Sequence, residues 1–229
     1  MYWFDSYYWI LVVPALLVSL WAQVRVQSTF RKYGSIPTRA GWTGAYTCRY
    51  LQQRAGLQVP IESVAGNATD HYDPRTGVIR LSQTVGAVDS VMAVGVAAHE
   101  TGHAMQYADG YFPIKIRAVI LPTTQIASTA APYLFLLGLL FSIPILAYLG
   151  LAFYFMAVLF QLVTLPVEFN ASARAMRALR DSGSFTEEEL RGVRKVLSAA
   201  AMTYVAAMLV SLMSFLRLLL LLSRRNDRR

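Results

Sequence analysis

Two apolar runs, Ala118 to Phe141 and Ile145 to Leu165, are separated only by the uncharged Ser142-Ile143-Pro144. Each is long enough to cross a hydrocarbon core of ~30 Å, where a helix is one of the few forms that satisfies its own backbone. So short a connection sends the second run back the way the first came. A helical hairpin is therefore predicted, with everything after Leu165 on the same side of the membrane as the residues before Ala118. A third run, Trp9 to Val24, is extended by Tyr7 and Tyr8 and contains Trp21. It falls slightly short of the ~20 residues a span needs, but its aromatic ends suit the bilayer interfaces. A fourth, Ala199 to Leu222, contains Arg217. Charged residues make up only 15% of the chain, against about 25% in soluble domains. The fold class that follows is a mainly α membrane protein with three to four transmembrane helices.

The placement of charge gives the topology. Ten Lys/Arg lie between Arg25 and Arg117, six between Arg174 and Lys195, and five from Arg217 onward. Basic residues gathered in segments between spans mark the cytoplasmic side. The leader holds Asp5 and no basic residue, so residues 1–24 read as an uncleaved anchor with its N-terminus outside. The predicted location is the cell (plasma) membrane, multi-pass, with a lipid bilayer as partner. A net charge of +8 would also suit nucleic acid, but no basic stripe interleaved with aromatics is present, and no nucleic-acid partner is expected. Cys48 is the sole cysteine, which excludes a disulfide framework and a thiolate cluster and leaves it as a small apolar filler. One conflict stands: a simple crossing by Ala199–Leu222 would put Arg224, Arg225, Arg228 and Arg229 outside. Either the segment lies along the interface, or it is partly inserted with Arg217 snorkelling.

Residues 25–117 read as a small α+β cytoplasmic unit. Thr43 to Ala55 is an amphipathic helix stopped by Gly56. Ile61 to Ala65 is a short strand. Asp73-Pro74-Arg75-Thr76-Gly77 has turn chemistry between alternating flanks, which predicts a β-hairpin across Thr69–Ser82. An edge strand of this kind accepts an extended peptide as an added strand. Ala87 to Tyr107 is a helix rich in Ala and Gly, apolar almost all round and so buried among neighbours. Residues 118–166 form the transmembrane hairpin, 167–198 a cytoplasmic helical segment, and 199–229 the C-terminal membrane helix and basic tail.

The buried helix carries His99-Glu100-Thr101-Gly102-His103. Residues four apart share a helix face, so His99 and His103 can offer two imidazoles to one metal ion. Glu100 is rotated roughly 100° away, where it reaches a metal-bound water and not the metal. Among three histidines in the chain, two sit in this arrangement. The competing account is a pair of hydrogen-bonded core histidines.

Hydrolytic zinc sites use three protein ligands and leave the fourth position to water. After His103 the acidic candidates are Asp109, Glu168, Asp181, Glu187, Glu188, Glu189 and Asp227. Asp109 belongs to the turn ending the helix. Thr186 with Glu189 makes a capping box, and its neighbours Glu187 and Glu188 are first-turn acids. Asp181 sits in a loop and Asp227 in a basic tail. Glu168 differs. On a helical wheel it shares its face with Ala171, Ser172, Ala175 and Leu179, while Asn170, Arg174, Arg177 and Asp181 take the other. A carboxylate on a small apolar face needs a partner; a metal shared with His99 and His103 supplies one, and a buried pair with Arg or His is the alternative.

Together, Asp70-His-Tyr-Asp-Pro-Arg-Thr-Gly-Val-Ile-Arg-Leu-Ser82, Gly95-Val-Ala-Ala-His-Glu-Thr-Gly-His-Ala-Met-Gln106, Leu165-Pro-Val-Glu-Phe-Asn-Ala-Ser-Ala-Arg-Ala175 and Arg194-Lys-Val-Leu-Ser-Ala-Ala-Ala-Met-Thr-Tyr-Val-Ala-Ala207 resemble the YugP-like membrane zinc metallopeptidases. These are also called neutral zinc metallopeptidases. The resemblance covers essentially the whole chain. It implies one Zn2+ ion held by His99, His103 and Glu168, more distantly as in the HtpX-type endopeptidases and thermolysin, and a zincin-like unit around them. One departure is Asn170, where Asp is expected after Glu-Phe; the wheel points it away from the metal.

The expected activity is zinc-dependent endopeptidase action on a peptide or membrane-protein substrate at the cytoplasmic membrane face, with Glu100 as the base. His71 and Tyr72 are candidate oxyanion or substrate contacts because the hairpin borders the cleft. An intramembrane protease is disfavoured by the polar loops around the motif helix. The alternative function is a non-catalytic membrane scaffold with a structural metal site.

Overall fold

The structure, a computed structural model, describes residues 5–66 and 69–226. Expectations placed on Asp227, Arg228 and Arg229, and on the side chain of Arg225, fall outside the described residues. A π-helical turn at Tyr8–Val12 leads into α1 (Val13–Gly34), then α2 (Gly44–Arg54), β1 (Ile61–Val64), β2 (His71–Asp73) and β3 (Val78–Ser82). Five helices follow: α3 (Gln83–Gly86), α4 (Val91–Ala108), α5 (Phe112–Leu140), α6 (Pro144–Asp181) and α7 (Glu187–Asn226).

Four helices are long and apolar enough to cross a membrane: Tyr8–Gly34, Phe112–Leu140, Pro144–Asp181 and Glu187–Arg224. The upper of the two expected numbers is met. The first is 27 residues long, because the helix continues past the apolar run Trp9–Val24. Nothing between Val24 and Gly34 breaks a helix, so the backbone stays helical through Arg25, Arg31 and Lys32. In the same way α6 and α7 run on past their apolar stretches into charged sequence.

Two compact units result, one from the described parts of residues 1–23, 115–165 and 202–229, the other from 24–114 and 166–201. In the first, α5 and the start of α6 form the expected hairpin. Ser142 adopts φ 58° in its turn, and the Ile143 N–H donates to the Gly138 carbonyl at 3.0 Å. The two helices touch backbone to backbone. A Cβ on Gly138 would lie 2.3 Å from the Ala147 nitrogen, and one on Gly150 would lie 2.6 Å from that of Phe135. Small residues of this kind let membrane helices gain dispersion contacts that hydrophobicity cannot supply in lipid. Phe135, Leu139 and Ala147 then pack with Leu218 and Leu222 of α7. Arg217 has a partner from the N-terminal segment. Its guanidinium donates to Asp5 Oδ2 through Nε at 2.9 Å and Nη2 at 2.7 Å, and it lies over the Tyr8 ring. The N-terminal leader supplies the countercharge that the apolar helix lacks.

The second unit is built around α4. Ser90 caps it, its hydroxyl accepting the Ala93 N–H at 3.1 Å. The helix therefore starts at Val91 and not at the expected Ala87, which follows the short α3. One side of α4 (Ala93, Ala97, Ala104) packs on Cys48, Ile79, Leu81 and Val85. Another (Val91, Val94, Ala98) packs on Leu51, Ala175, Leu179, Leu190 and Val193. Leu179 is fully buried; truncating such a side chain to Ala costs about 2–5 kcal/mol.

The sheet has the order β1-β3-β2. The predicted hairpin pairs His71 with Arg80 and Tyr72 with Ile79, and Gly77 takes the positive φ its turn requires. The first strand joins parallel, Ile61 opposite Ile79. Arg80 on the central strand binds Asp73 on one neighbour at 2.8 Å and Glu62 on the other at 3.1 Å. At the start of α7 the expected capping box is present: the Glu189 N–H donates to the Thr186 hydroxyl, and the Thr186 N–H to Glu189 Oε2 at 2.7 Å.

The Arg217–Asp5 pair yields a stability prediction. Removing either partner leaves a sheltered charge without its counterion. Asp5→Asn and Arg217→Met should each lower the thermal midpoint in detergent, and exchanging the two residues should restore most of the loss. An exchanged protein no more stable than the single variants would show that the pair contributes nothing.

Candidate metal centre

The α-helical spacing of His99 and His103 brings their rings to 4.7 Å between centroids. What completes the group arrives from α6, across a contact that only glycine permits. A Cβ on Gly102 would fall 2.6 Å from the Ala171 carbonyl oxygen, well inside van der Waals separation. With Gly102 bare, α6 lies directly on α4, and Glu168, one turn before Ala171, reaches the imidazoles. Glu168 Oε2 stands 3.2 Å from His99 Nε2 and 3.6 Å from His103 Nε2. A ligand atom from each of the three residues lies within 4.8 Å of the others.

The other ring nitrogens are occupied. His103 Nδ1 meets Gln106 Oε1 at 3.0 Å, and His99 Nδ1 meets the Ser172 hydroxyl at 3.2 Å. Gln106 is itself held, its Nε2 donating to the Val167 carbonyl at 2.8 Å and to Asn170 Oδ1 at 2.9 Å. Asn170 Oδ1 also accepts from Arg174 Nε at 2.8 Å, and Arg174 pairs with Asp109. A continuous chain thus runs Asp109–Arg174–Asn170–Gln106–His103. The expectation that Asn170 points away from the metal side is therefore corrected. A wheel drawn for α6 alone omits Gln106, which comes from α4 to meet it. An amide oxygen accepts both donors here as a carboxylate would; the difference between Asn and Asp is charge, not connectivity.

Glu168 is 2% exposed, so its charge is shielded from water and faces the two imidazoles. Burial works against a charged His103, but the hydrogen bond to Glu168 and the nearby charges of Glu100 and Glu168 outweigh it and hold the His103 pKa above its ordinary value. Glu100 stays outside the group of three. Its Oε2 accepts the Tyr72 N–H of β2 at 2.9 Å, tying the motif helix to the edge of the sheet. Tyr72 also packs against Tyr107, and burial, with the Asp73 charge, holds its phenol above the usual range. His71 is not brought to the group. It is exposed, with Nδ1 bonded to the Thr69 carbonyl of its own loop at 2.7 Å.

The donor set, two imidazole nitrogens and one carboxylate oxygen, fits zinc as hydrolytic sites hold it. The fit is strengthened because each Nδ1 has its own partner, which fixes ring orientation and turns both Nε2 atoms toward Glu168. Of the other candidates, Asp109 pairs with Arg174, Glu188 with Arg191, and Glu189 sits in its cap and also accepts the Arg39 N–H. Sequence spacing carried a signal for the supporting residues: Gln106 is three residues past His103, and Ser172 four past Glu168, both same-face positions.

Two substitutions on α4 test this arrangement by zinc titration of the purified protein. Gly102→Ala should weaken zinc binding by forcing α4 from α6, at about 1–3 kcal/mol of overpacking. Gln106→Ala should weaken it about 10–100-fold, the usual effect of removing a residue that orients a metal ligand. Unchanged affinity in both would show that neither the helix contact nor the amide shapes the site.

Comparison with known proteins agrees with the donor set. A family model described as "Putative neutral zinc metallopeptidase" matches residues 8–223. The "Putative membrane protease YugP" of Bacillus subtilis (strain 168) is 46% identical over 218 residues, which is 95% of this chain and 97% of that protein. No solved structure matches. With nearly its whole length matched and the His99–His103–Glu168 group in place, the chain belongs to the neutral zinc metallopeptidase family.

Proposed function

We propose that the chain is a membrane-embedded, zinc-dependent endopeptidase that cleaves peptide or membrane-protein substrates at the cytoplasmic face of the plasma membrane. The observation that carries this reading is the convergence of His99, His103 and Glu168 beside a glutamate that stays outside the group. The name of the Bacillus subtilis relative, a membrane protease, supports the same class. His99, His103 and Glu168 would hold one zinc ion, which when bound supplies Lewis acidity, lowering the pKa of water and polarising a carbonyl.

The chain's own groups perform the proton transfers. Glu100 takes the proton of the attacking water as its oxygen bonds to the scissile carbonyl carbon. When the C–N bond breaks, Glu100 delivers that proton to the leaving nitrogen. The Tyr72 amide on Oε2 fixes the carboxylate while this happens. That amide lies on the outward edge of β2, the end strand of the sheet. An extended peptide added along this edge would run beside Glu100. The Tyr72 phenol, kept neutral, is a hydrogen-bond donor at the same edge, and of the two hairpin candidates it is better placed than His71.

Glu100→Gln keeps the three ligands and removes the base. It should retain zinc and lose about 10²–10⁴-fold in cleavage of an unfolded or membrane-protein substrate, while Glu168→Ala should lose zinc and activity together. Equal cleavage by wild type and Glu100→Gln, or full zinc in Glu168→Ala, would leave a scaffold with a structural metal as the better account. The cytoplasmic assignment rests on the Lys/Arg-rich segments between Arg25 and Arg117 and between Arg174 and Lys195. Reporters fused after Gly110 and after Gly183 should be active only when cytoplasmic; an external signal from both would reverse the assignment.

A further inference from the structure

Behind His99, on its Nδ1 side, α6 and α7 leave an open groove of about 440 Å³. Its floor is apolar, formed by Phe169, Ala173, Met176, Leu197 and Ala201. Three arginines line it as well, Arg177 and Arg180 from α6 and Arg194 from α7, and no acidic residue does. All three are exposed, and among the described residues none has a hydrogen-bonded or ionic partner. The half-buried Arg80 and Arg174, by contrast, are matched, Arg80 by Asp73 and Glu62 and Arg174 by Asp109. The groove therefore carries three uncompensated positive charges over an apolar floor.

The order of residues along both helices is the same. On α6 the apolar members Phe169 and Ala173 come first after the apolar stretch, and Arg177 and Arg180 follow. On α7 Arg194 comes first, then Leu197 and Ala201, and the apolar stretch follows. From Phe169 to Arg177 is eight residues, about 12 Å along a helix. One end of the groove thus suits hydrocarbon and the other suits an anion, in the sequence order in which a phospholipid presents tail and phosphate. Arginine matches phosphate oxygens bidentately, and basic pockets between membrane helices recognise anionic headgroups.

We infer that this groove binds an anionic phospholipid, its phosphate on Arg177, Arg180 and Arg194 and its acyl chain along Phe169, Ala173, Met176, Leu197 and Ala201. The site is separate from the proposed peptide edge at β2 and does not depend on the peptidase chemistry. It shares one wall with the metal centre, because Ser172 lines the groove and also meets His99 Nδ1.

The test is native mass spectrometry of the full-length protein in detergent, titrated with phosphatidylglycerol or phosphatidylcholine. Wild type should retain phosphatidylglycerol about tenfold more tightly than phosphatidylcholine, as expected of three cooperating basic residues. Arg177→Gln/Arg180→Gln/Arg194→Gln should lose the preference, whereas Arg224→Gln, remote from the groove in sequence, should keep it. Ala173→Phe, which fills the floor and leaves the arginines, should lower retention of phosphatidylglycerol. Zinc content and circular dichroism confirm that each variant is folded. A triple variant that keeps the preference would overturn the assignment. So would displacement of the lipid by equimolar inorganic phosphate, which would mark an anion site, or by an acidic peptide, which would mark a protein-binding surface.

Discussion

The close approach of α4 and α6 at Gly102 is the contact on which the His99–His103–Glu168 group depends. Two histidines four apart will line up on any helix, but they make only two-thirds of a hydrolytic ligand set. The carboxylate that completes the group, Glu168, belongs to a different helix and has a short reach. With the backbones of α4 and α6 in contact at Gly102 and Ala171, Glu168 comes to 3.2 Å from His99. A methyl group at position 102 would exclude that geometry. The small residues around Glu168, Ala171 and Ala175, have the same origin, being fully buried where the helices meet.

Burying a carboxylate between two helices is unfavourable unless its surroundings are polar and fixed. The protein meets this with a layered set of bonds. Each imidazole has its Nδ1 held, one by Ser172 on α6 and the other by Gln106 on α4. Gln106 in turn bridges to Asn170 and the Val167 carbonyl on α6. The helices that supply the ligands therefore also supply each other's supports, so ligand orientation and helix packing are one structural problem. Such interlocked polar networks are rigid when every member is satisfied. The last member, Arg174, pairs with Asp109, the residue that ends α4.

Much of this was legible from spacing alone. The His99–Glu100–His103 motif, the face occupied by Glu168, the Asp73–Gly77 turn and the Thr186–Glu189 capping box all depend on contacts within one element or one turn, and local periodicity encodes those. What escaped depended on partners distant in sequence. Asn170 was assigned by a wheel that knows only its own helix, so Gln106, arriving from 64 residues away, was invisible to it. Arg217 looked like an intruder in an apolar run because its countercharge, Asp5, lies 212 residues earlier. The start of α4 was misjudged because Ala and Val at positions 87 and 88 favour no boundary, whereas the Ser90 cap fixes one. His71 and Tyr72 are neighbours in sequence, but alternation along a strand separates their side chains; only Tyr72 joins the packing against α4.

The distance along the chain between His103 and Glu168 has a consequence in time. Sixty-five positions separate His103 from Glu168, and they contain α5 and the apolar part of α6. A chain made from its N-terminus therefore carries both imidazoles and Glu100 well before the carboxylate that joins them exists. Until the α5–α6 hairpin has been synthesised, the two imidazoles lack the carboxylate that completes the group. The order of residues thus delays completion of the His99–His103–Glu168 group until late in biosynthesis.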